Sequence, residues 1–194
     1  MRKQDVIGFF DARAAQWDAE MIRHDHIIEK ILDGAGIAAN LDVMDVACGT
    51  GVLIPDYLSR GVSSVTGVDI SSEMIKIAEE KFPHENVRLI CGDVEELVFD
   101  KVFDCIMVYN AFPHFPNPEG LIAKLASLLK TGGTLTVAHG MSKAEIDSRH
   151  QGAAQTVSVA LMEHDALAEL FARYLTVTVK ISDDTMYQVC GVKK

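Results

Sequence analysis

Asp45-Val46-Ala47-Cys48-Gly49-Thr50-Gly51 is the stretch that decides how this chain is read. With Val43 and Met44 before it, the apolar run is a buried strand that ends in a glycine turn. Gly49 and Gly51 carry no Cβ, so the backbone there can pass close to a ligand. Residues 52–60 then read as a helix closed by Gly61.

Downstream, the alternation continues. Ser64–Asp69 is a second strand, Ser71 or Ser72 caps a helix that runs through Phe82 to Pro83, and Val87–Cys91 is a third strand. Val102–Tyr109 is a fourth, strongly apolar strand. Residues 117–130 form a helix closed by Gly132-Gly133, and Thr134–His139 is a fifth strand. Strands alternating with helices predict a parallel sheet with helices on both faces. Ser142-Lys143-Ala144-Glu145 is a capping box, residues 151–160 are small and polar without a period, and residues 164–173 are helical. Tyr174–Lys180 and Met186–Val192 are two last strands around Ser182-Asp183-Asp184.

Upstream, residues 4–36 read as helix. Met21, His24, Ile28, Ile31, Leu32 and Ala35 share one face, and Gly34 and Gly36 supply the stop. The expected fold is α/β: a doubly wound, seven-stranded, mostly parallel sheet with an antiparallel edge strand, helices on both faces and N-terminal helices over the ligand. The expected organisation is one domain over 1–194, with a helical cap at 1–36, a cofactor-binding core at 40–140, and the last helices and strands at 141–194.

A chain of 194 residues that is 48% apolar can bury a sizeable core without staples. Its formal charge of −10 works against a phosphate backbone, and its only basic pairs, Arg2-Lys3 and Lys193-Lys194, stand at the termini. Cys48, Cys91, Cys105 and Cys190 offer no zinc-type pair. The last three read as buried thiols, a usage that suits a reducing compartment. The N-terminal Val6–Phe10 run is too short and too interrupted by charge for a signal peptide or a membrane span, so the expected location is cytoplasmic.

Asp69 ends the second strand 18 positions after Gly51, where an acid can accept both hydroxyl hydrogens of a ribose. A dinucleotide fingerprint needs a third glycine three residues after Gly51, and Ile54 stands there. Asp45, just before the turn, repels a pyrophosphate and suits a positively charged amine. The pattern favours an adenosyl ligand, and a nicotinamide-dependent oxidoreductase becomes the second reading. Asp93, after the third strand, can accept from an exocyclic amine such as adenine N6, or can cap the turn that follows.

Four stretches, VMDVACGTG, GVDIS, ICGDVEEL and LLKTGGTLTVAH, follow in order over roughly residues 40 to 140. Together they resemble the class I, Rossmann-like S-adenosylmethionine-dependent methyltransferases. FDARAAQWD, near the N-terminus, is similar to the entry helix of the quinone-biosynthesis C-methyltransferases and their small-molecule relatives. The resemblance implies methyl transfer from S-adenosylmethionine. It would place Asp45 and the Ala47 carbonyl at the methionine amine, and Gly49 and Gly51 under the methionine part. Asp69 would hold the ribose with Ile70 against the adenine, Asp93 and Val94 would read the adenine edge, and Asn110 would lie beside the sulfonium. Ala47 stands where the family usually has glycine, and its methyl group is expected to cost little. The implied acceptor is a small molecule. Strand four ends Asn110-Ala111-Phe112-Pro113, without the Asp/Asn-Pro-Pro-aromatic motif of enzymes that methylate DNA bases. A non-catalytic binder of the same cofactor is the alternative from a different class.

Methyl transfer from a sulfonium is an in-line displacement, so alignment can suffice, and a base is required only if the acceptor must lose a proton. His114 follows strand four and His139 ends strand five, at the carboxyl ends of strands expected to be neighbours. They are the candidate catalytic pair, and as a base they would make the rate fall below a pKa of about 6.5. The plainer reading packs His114 with Phe112 and Phe115 and bonds His139 to a backbone carbonyl. No pair among these, His24, His26 and His150 has metal-ligand spacing on one helix, so no metal is expected. Residues 1–36 and 140–160 are expected to frame the acceptor.

Overall fold

In the computed structural model, which describes residues 1–150 and 152–194, the glycine turn leaves the middle of a seven-stranded sheet. β1 (Asp42–Val46) pairs in parallel with β2 (Ser64–Asp69) on one side and with β4 (Phe103–Tyr109) on the other. The chain steps outward from β1 through β2 to β3 (Val87–Cys91). It then returns to β4 and steps the opposite way to β5 (Leu129–His139). With β6 (Leu175–Ser182) and β7 (Tyr187–Lys193) the order is β3-β2-β1-β4-β5-β7-β6. β7 runs antiparallel to both β5 and β6, so the antiparallel pairing expected at the edge lies there. The direction of winding reverses between β1 and β4, and in such sheets the crevice opens beyond the carboxyl ends at that point.

The helices are α1 (Lys3–Asp11), α2 (Ala14–Glu20), α3 (Asp25–Gly34), α4 (Ile54–Ser59), α5 (Ser72–Lys81), α6 (Pro118–Ser127), α7 (Lys143–Arg149) and α8 (His164–Ala172). Side chains alternate across a strand, so β1 feeds two layers. Val43 packs in a cluster with Ile28 and Ile31 of α3 and Tyr57 of α4. Met44 and Val46 belong to a second cluster with Leu121 and Leu125 of α6 and Phe171 of α8. Both faces of the sheet are thereby covered, which is why β1 is apolar on both faces apart from the buried Asp45. Among the described residues, no helix is long and apolar enough to cross a membrane.

Three expectations are corrected. Residues 4–36 are three helices rather than one: the chain breaks at Ala12-Arg13 and runs extended at Met21. Arg23 fixes the second break, bonding Asp25 at 2.6 Å, the Val52 carbonyl at 2.7 Å and Asp56 at 2.6 Å. The apolar period runs on through Met21 because that residue faces the ligand cavity, not because the helix continues. Gly132-Gly133 do not close α6; they lie inside β5. Gly132 has a φ of +80°, and a Cβ on Gly133 would stand 2.8 Å from the Asp104 carbonyl, beside the register shift between β4 and β5. Cys91 is exposed, because β3 is an edge strand, while Cys48, Cys105 and Cys190 are buried; all four thiols are free. Gln151, which opens the period-free stretch 151–160, lies outside the described residues.

Ser71 caps α5 as expected: its buried Oγ accepts the Met74 N–H at 3.2 Å and donates to Asp11 of α1 at 2.5 Å. Ser71→Ala removes both bonds, and urea unfolding should show a loss of about 1–2 kcal/mol. An unchanged midpoint at an unchanged slope would mean that the cap carries no stability.

Candidate functional site

A cavity of about 480 Å³ opens at the carboxyl ends of the central strands. Its floor is the turn after β1. Ala47, Gly49 and Gly51 all adopt positive φ, at +55°, +55° and +84°. Gly49 lines the cavity, and its N–H donates to Asp69 Oδ2 at 2.8 Å; Asp69 Oδ1 accepts from Ser71 N at 2.9 Å. A carboxylate has about four lone-pair directions, so Asp69 keeps acceptor capacity at the cavity wall. Burial pushes its pKa up, and the two backbone N–H groups pull against that shift.

The structure brings Ala47, Gly49, Asp69, Ile70, Asp93, Val94, Asn110, His114 and His139 to this cavity; it does not bring Asp45 or Gly51. Asp45 shares the face of Val43 and points beneath the sheet, only 2% exposed, with Oδ2 unpartnered. Burial, then the nearby Asp69, push it up to about 8, so it is mostly an uncharged acid at neutral pH. Gly51 is needed for packing: a Cβ there would meet the ring of Phe82 at 2.6 Å. Ala47 does not sit at ease, because a left-handed φ costs an L-residue about 1–2 kcal/mol. Asn110 also has a positive φ, +54°, which asparagine tolerates, and its Oδ1 accepts the Gly140 N–H at 3.0 Å, tying the end of β4 to the end of β5.

The roof comes from α1 and α2. Val6, Phe10, Arg13 and Trp17 follow at steps of four, three and four, and all line the cavity. Phe10 packs edge-on against Trp17 at 5.6 Å and against His114 at 4.9 Å between ring centroids. Three polar contacts fasten this roof, each to a different loop. Asp18 accepts from Thr50 after β1, Asp11 from Ser71 after β2, and Lys3 pairs with Asp93 after β3. Lys81 of α5 adds a second bond to Asp18 at 2.6 Å. Spacing within FDARAAQWD holds the signal for Phe10, Arg13 and Trp17, which sequence reasoning left without roles. Of the stretch 1–36, residues after Ile22 do not line the cavity; α3 is committed to the core.

His114 and His139 line the same cavity, and His150 joins them, its ring 5.2 Å from that of His114. The Val157 carbonyl lies 2.8 Å from His114 Nδ1, so that nitrogen carries the proton and Nε2 keeps a lone pair. Among the described residues His139 bonds no carbonyl, and its Nε2 is buried without a partner. Burial pushes His114 down to about 4 and His139 down to about 3. Both are neutral near pH 7, which overturns the expected titration at the ordinary histidine value. No metal-binding group of three or more such side chains occurs among the described residues.

Residues 43–133 match a family model described as a methyltransferase domain. Over those residues the chain carries a methyltransferase domain. A malonyl-[acyl-carrier protein] O-methyltransferase of Acetivibrio thermocellus is 31% identical over 129 residues, which cover 65% of this chain and 46% of that protein. A ubiquinone biosynthesis O-methyltransferase of Coxiella burnetii is 30% identical over 141 residues, 69% of this chain and 60% of that one. The methyltransferase-domain chain thus spans about half the length of the curated relatives it matches. A methyltransferase solved in complex with the Haloferax volcanii Trm112 activator has a TM-score of 0.82 at 22% identity, covering 97% of both chains. DhpI, solved with S-adenosylhomocysteine, has a TM-score of 0.74 at 20% identity, covering 97% of this chain and 95% of that one. These structures share the methyltransferase fold.

Asp45 gives a pH prediction. Its folded pKa, about 8, exceeds the ordinary 3.8, so the folded chain holds a proton that the unfolded chain releases between these values. That favours the fold at low pH, and the contribution is lost as pH rises through about 8. Asp45→Asn should therefore gain thermal stability over the parent protein as pH goes from 5 to 9. A constant difference in melting temperature across that range would refute it.

Proposed function

We propose that this chain transfers the methyl group of S-adenosylmethionine to a small-molecule acceptor. The observation that carries the reading is Asp69, clamped by Gly49 and Ser71 with acceptor capacity left at the cavity wall. That carboxylate would hold the ribose hydroxyls. Ile70 and Val94 would flank the adenine, Asp93 would meet its amine, and the Ala47 carbonyl and Gly49 would bed the methionine part. Asn110, at the junction of β4 and β5, would lie beside the sulfonium. S-adenosylmethionine supplies an activated methyl group on a cationic sulfur.

The chain's own work is alignment and the exclusion of water. Phe10, Trp17 and Phe115 close the acceptor side with apolar surface. His114 and His139 act there as neutral hydrogen-bonding groups that orient the acceptor: Nε2 of His114 accepts, and His139 has a free ring nitrogen to offer. The names of the curated relatives point to oxygen acceptors. A charge of −10 works against nucleic acid, and four free thiols suit the cytoplasm.

Calorimetry should show binding of S-adenosylhomocysteine and none of NAD(H). Asp69→Ala should weaken that binding by about 1.5–3 kcal/mol, provided its thermal transition remains cooperative. A folded parent protein that ignores S-adenosylhomocysteine ends the proposal; a tightly binding Asp69→Ala variant removes Asp69 from it. The rate should show no histidine inflection between pH 6 and 8, and an inflection abolished by His114→Gln or His139→Gln would contradict the neutral role.

A further inference from the structure

The cavity lining includes two arginines without an ion pair, beside the carboxylates of Glu20, Asp69, Asp93 and Glu95. Of the seven arginines, Arg2, Arg23, Arg60 and Arg173 pair with carboxylates. Among the described residues, Arg13, Arg88 and Arg149 form no ion pair, and two of these three, Arg13 and Arg149, line the cavity. Arg13 and the exposed Arg149, whose field the Glu145 carboxylate four residues earlier shares, are both available to an anion in the cavity. Arg13 lies flat on Phe9, its Cζ 3.7 Å from the ring centroid, with one N–H on the Phe9 carbonyl at 3.3 Å. Among the described residues its remaining N–H groups have no partner. Arg149 ends α7 on the other side, next to His150.

His139 is the second, independent observation. It is 2% exposed, lines the cavity, and its Nε2 has no hydrogen-bond partner. A buried polar atom left unpaired is destabilising, and a ligand atom in the cavity is the partner that position can receive. Its ring packs edge-on against Tyr187 at 5.9 Å between centroids, and Phe10, Phe115, Met141 and Ile146 add apolar surface to the same cavity. No side chain at this end is built as a base. Burial keeps the histidines weakly basic, Glu20 is exposed on α2, Asp69 ends β2, and Asp93 and Glu95 belong to the loop after β3.

We propose that the acceptor is an organic acid with an apolar body, and that its ionised carboxylate oxygen receives the methyl group. The proposal rests on the methyl-transfer reading above. A lone pair on the carboxylate oxygen forms the O–CH₃ bond, the S–CH₃ bond breaks, and its electron pair stays on sulfur. An anion and a sulfonium become a neutral ester and a neutral thioether, and no proton moves. Phenols and protonated amines would first have to lose a proton, whereas a carboxylate at neutral pH does not. His139 donates to the second carboxylate oxygen, and Arg149 balances the charge.

Trp17 is the chain's only tryptophan and lines the cavity, so its fluorescence reports on binding. The protein is first saturated with S-adenosylhomocysteine, a step that tests the methyl-transfer reading by itself. Octanoate, phenylacetate and benzoate are then titrated beside their amides. At least one acid should bind about tenfold more tightly than its amide, and Arg149→Met should weaken that acid by a similar factor while S-adenosylhomocysteine binds as before. With S-adenosylmethionine, mass spectrometry should find the methyl ester of that acid. If S-adenosylhomocysteine binds but no acid outcompetes its amide, or if Arg149→Met leaves acid binding unchanged, the proposal is overturned. If S-adenosylhomocysteine does not bind, the methyl-transfer reading falls instead.

Discussion

The bond from the Gly49 N–H to Asp69 holds the cavity in shape. It joins the turn after β1 to the end of β2, and so converts two neighbouring strands into a floor. The floor exists only because the turn accepts left-handed backbone at 47, 49 and 51. Ala47 shows that the constraint is on conformation rather than on residue type: the chain tolerates a strained alanine to keep the turn. The same bond helps a buried carboxylate against its desolvation. Fold and binding surface share one contact here: the carboxylate that joins the two strands also stands at the cavity wall.

What could be read in the sequence followed from local cues. Apolar runs bounded by glycine, serine and proline placed β1 through β4 and the cap at Ser71, because those signals act within a few residues. The break at Met21–His24 was hidden because periodicity registers which residues are covered, and a cavity covers Met21 as well as a core would. Gly132-Gly133 looked like a helix stop because the sequence does not reveal the backbone of Asp104 pressing on them. Asp45 was assigned to the ligand on proximity along the chain. With both faces of β1 apolar, alternation could not tell which way its carboxyl points.

The family match spans residues 43–133, and the cavity is lined from both inside and outside that span. The loops after β1, β2 and β3 follow motifs legible by spacing. Another part of the lining is built from α1, α2, the end of β5 and α7, whose contacts join residues far apart in sequence, such as His114 with Val157. Burial there inverts what an isolated histidine would do. Side chains that would titrate near neutrality in water become fixed dipoles, and their use shifts from moving protons to aiming a substrate.

The three fastenings of the roof come from Lys3 and Asp11 of α1, eight residues and about two helical turns apart, and from Asp18 of α2, beyond the break at Ala12-Arg13. The first helix therefore works as a ruler whose marks must meet two fixed points. Inserting one residue between Lys3 and Asp11 would turn the later mark by about 100° around α1. The length of α1 thus records the spacing of the loops after β2 and β3 beneath it.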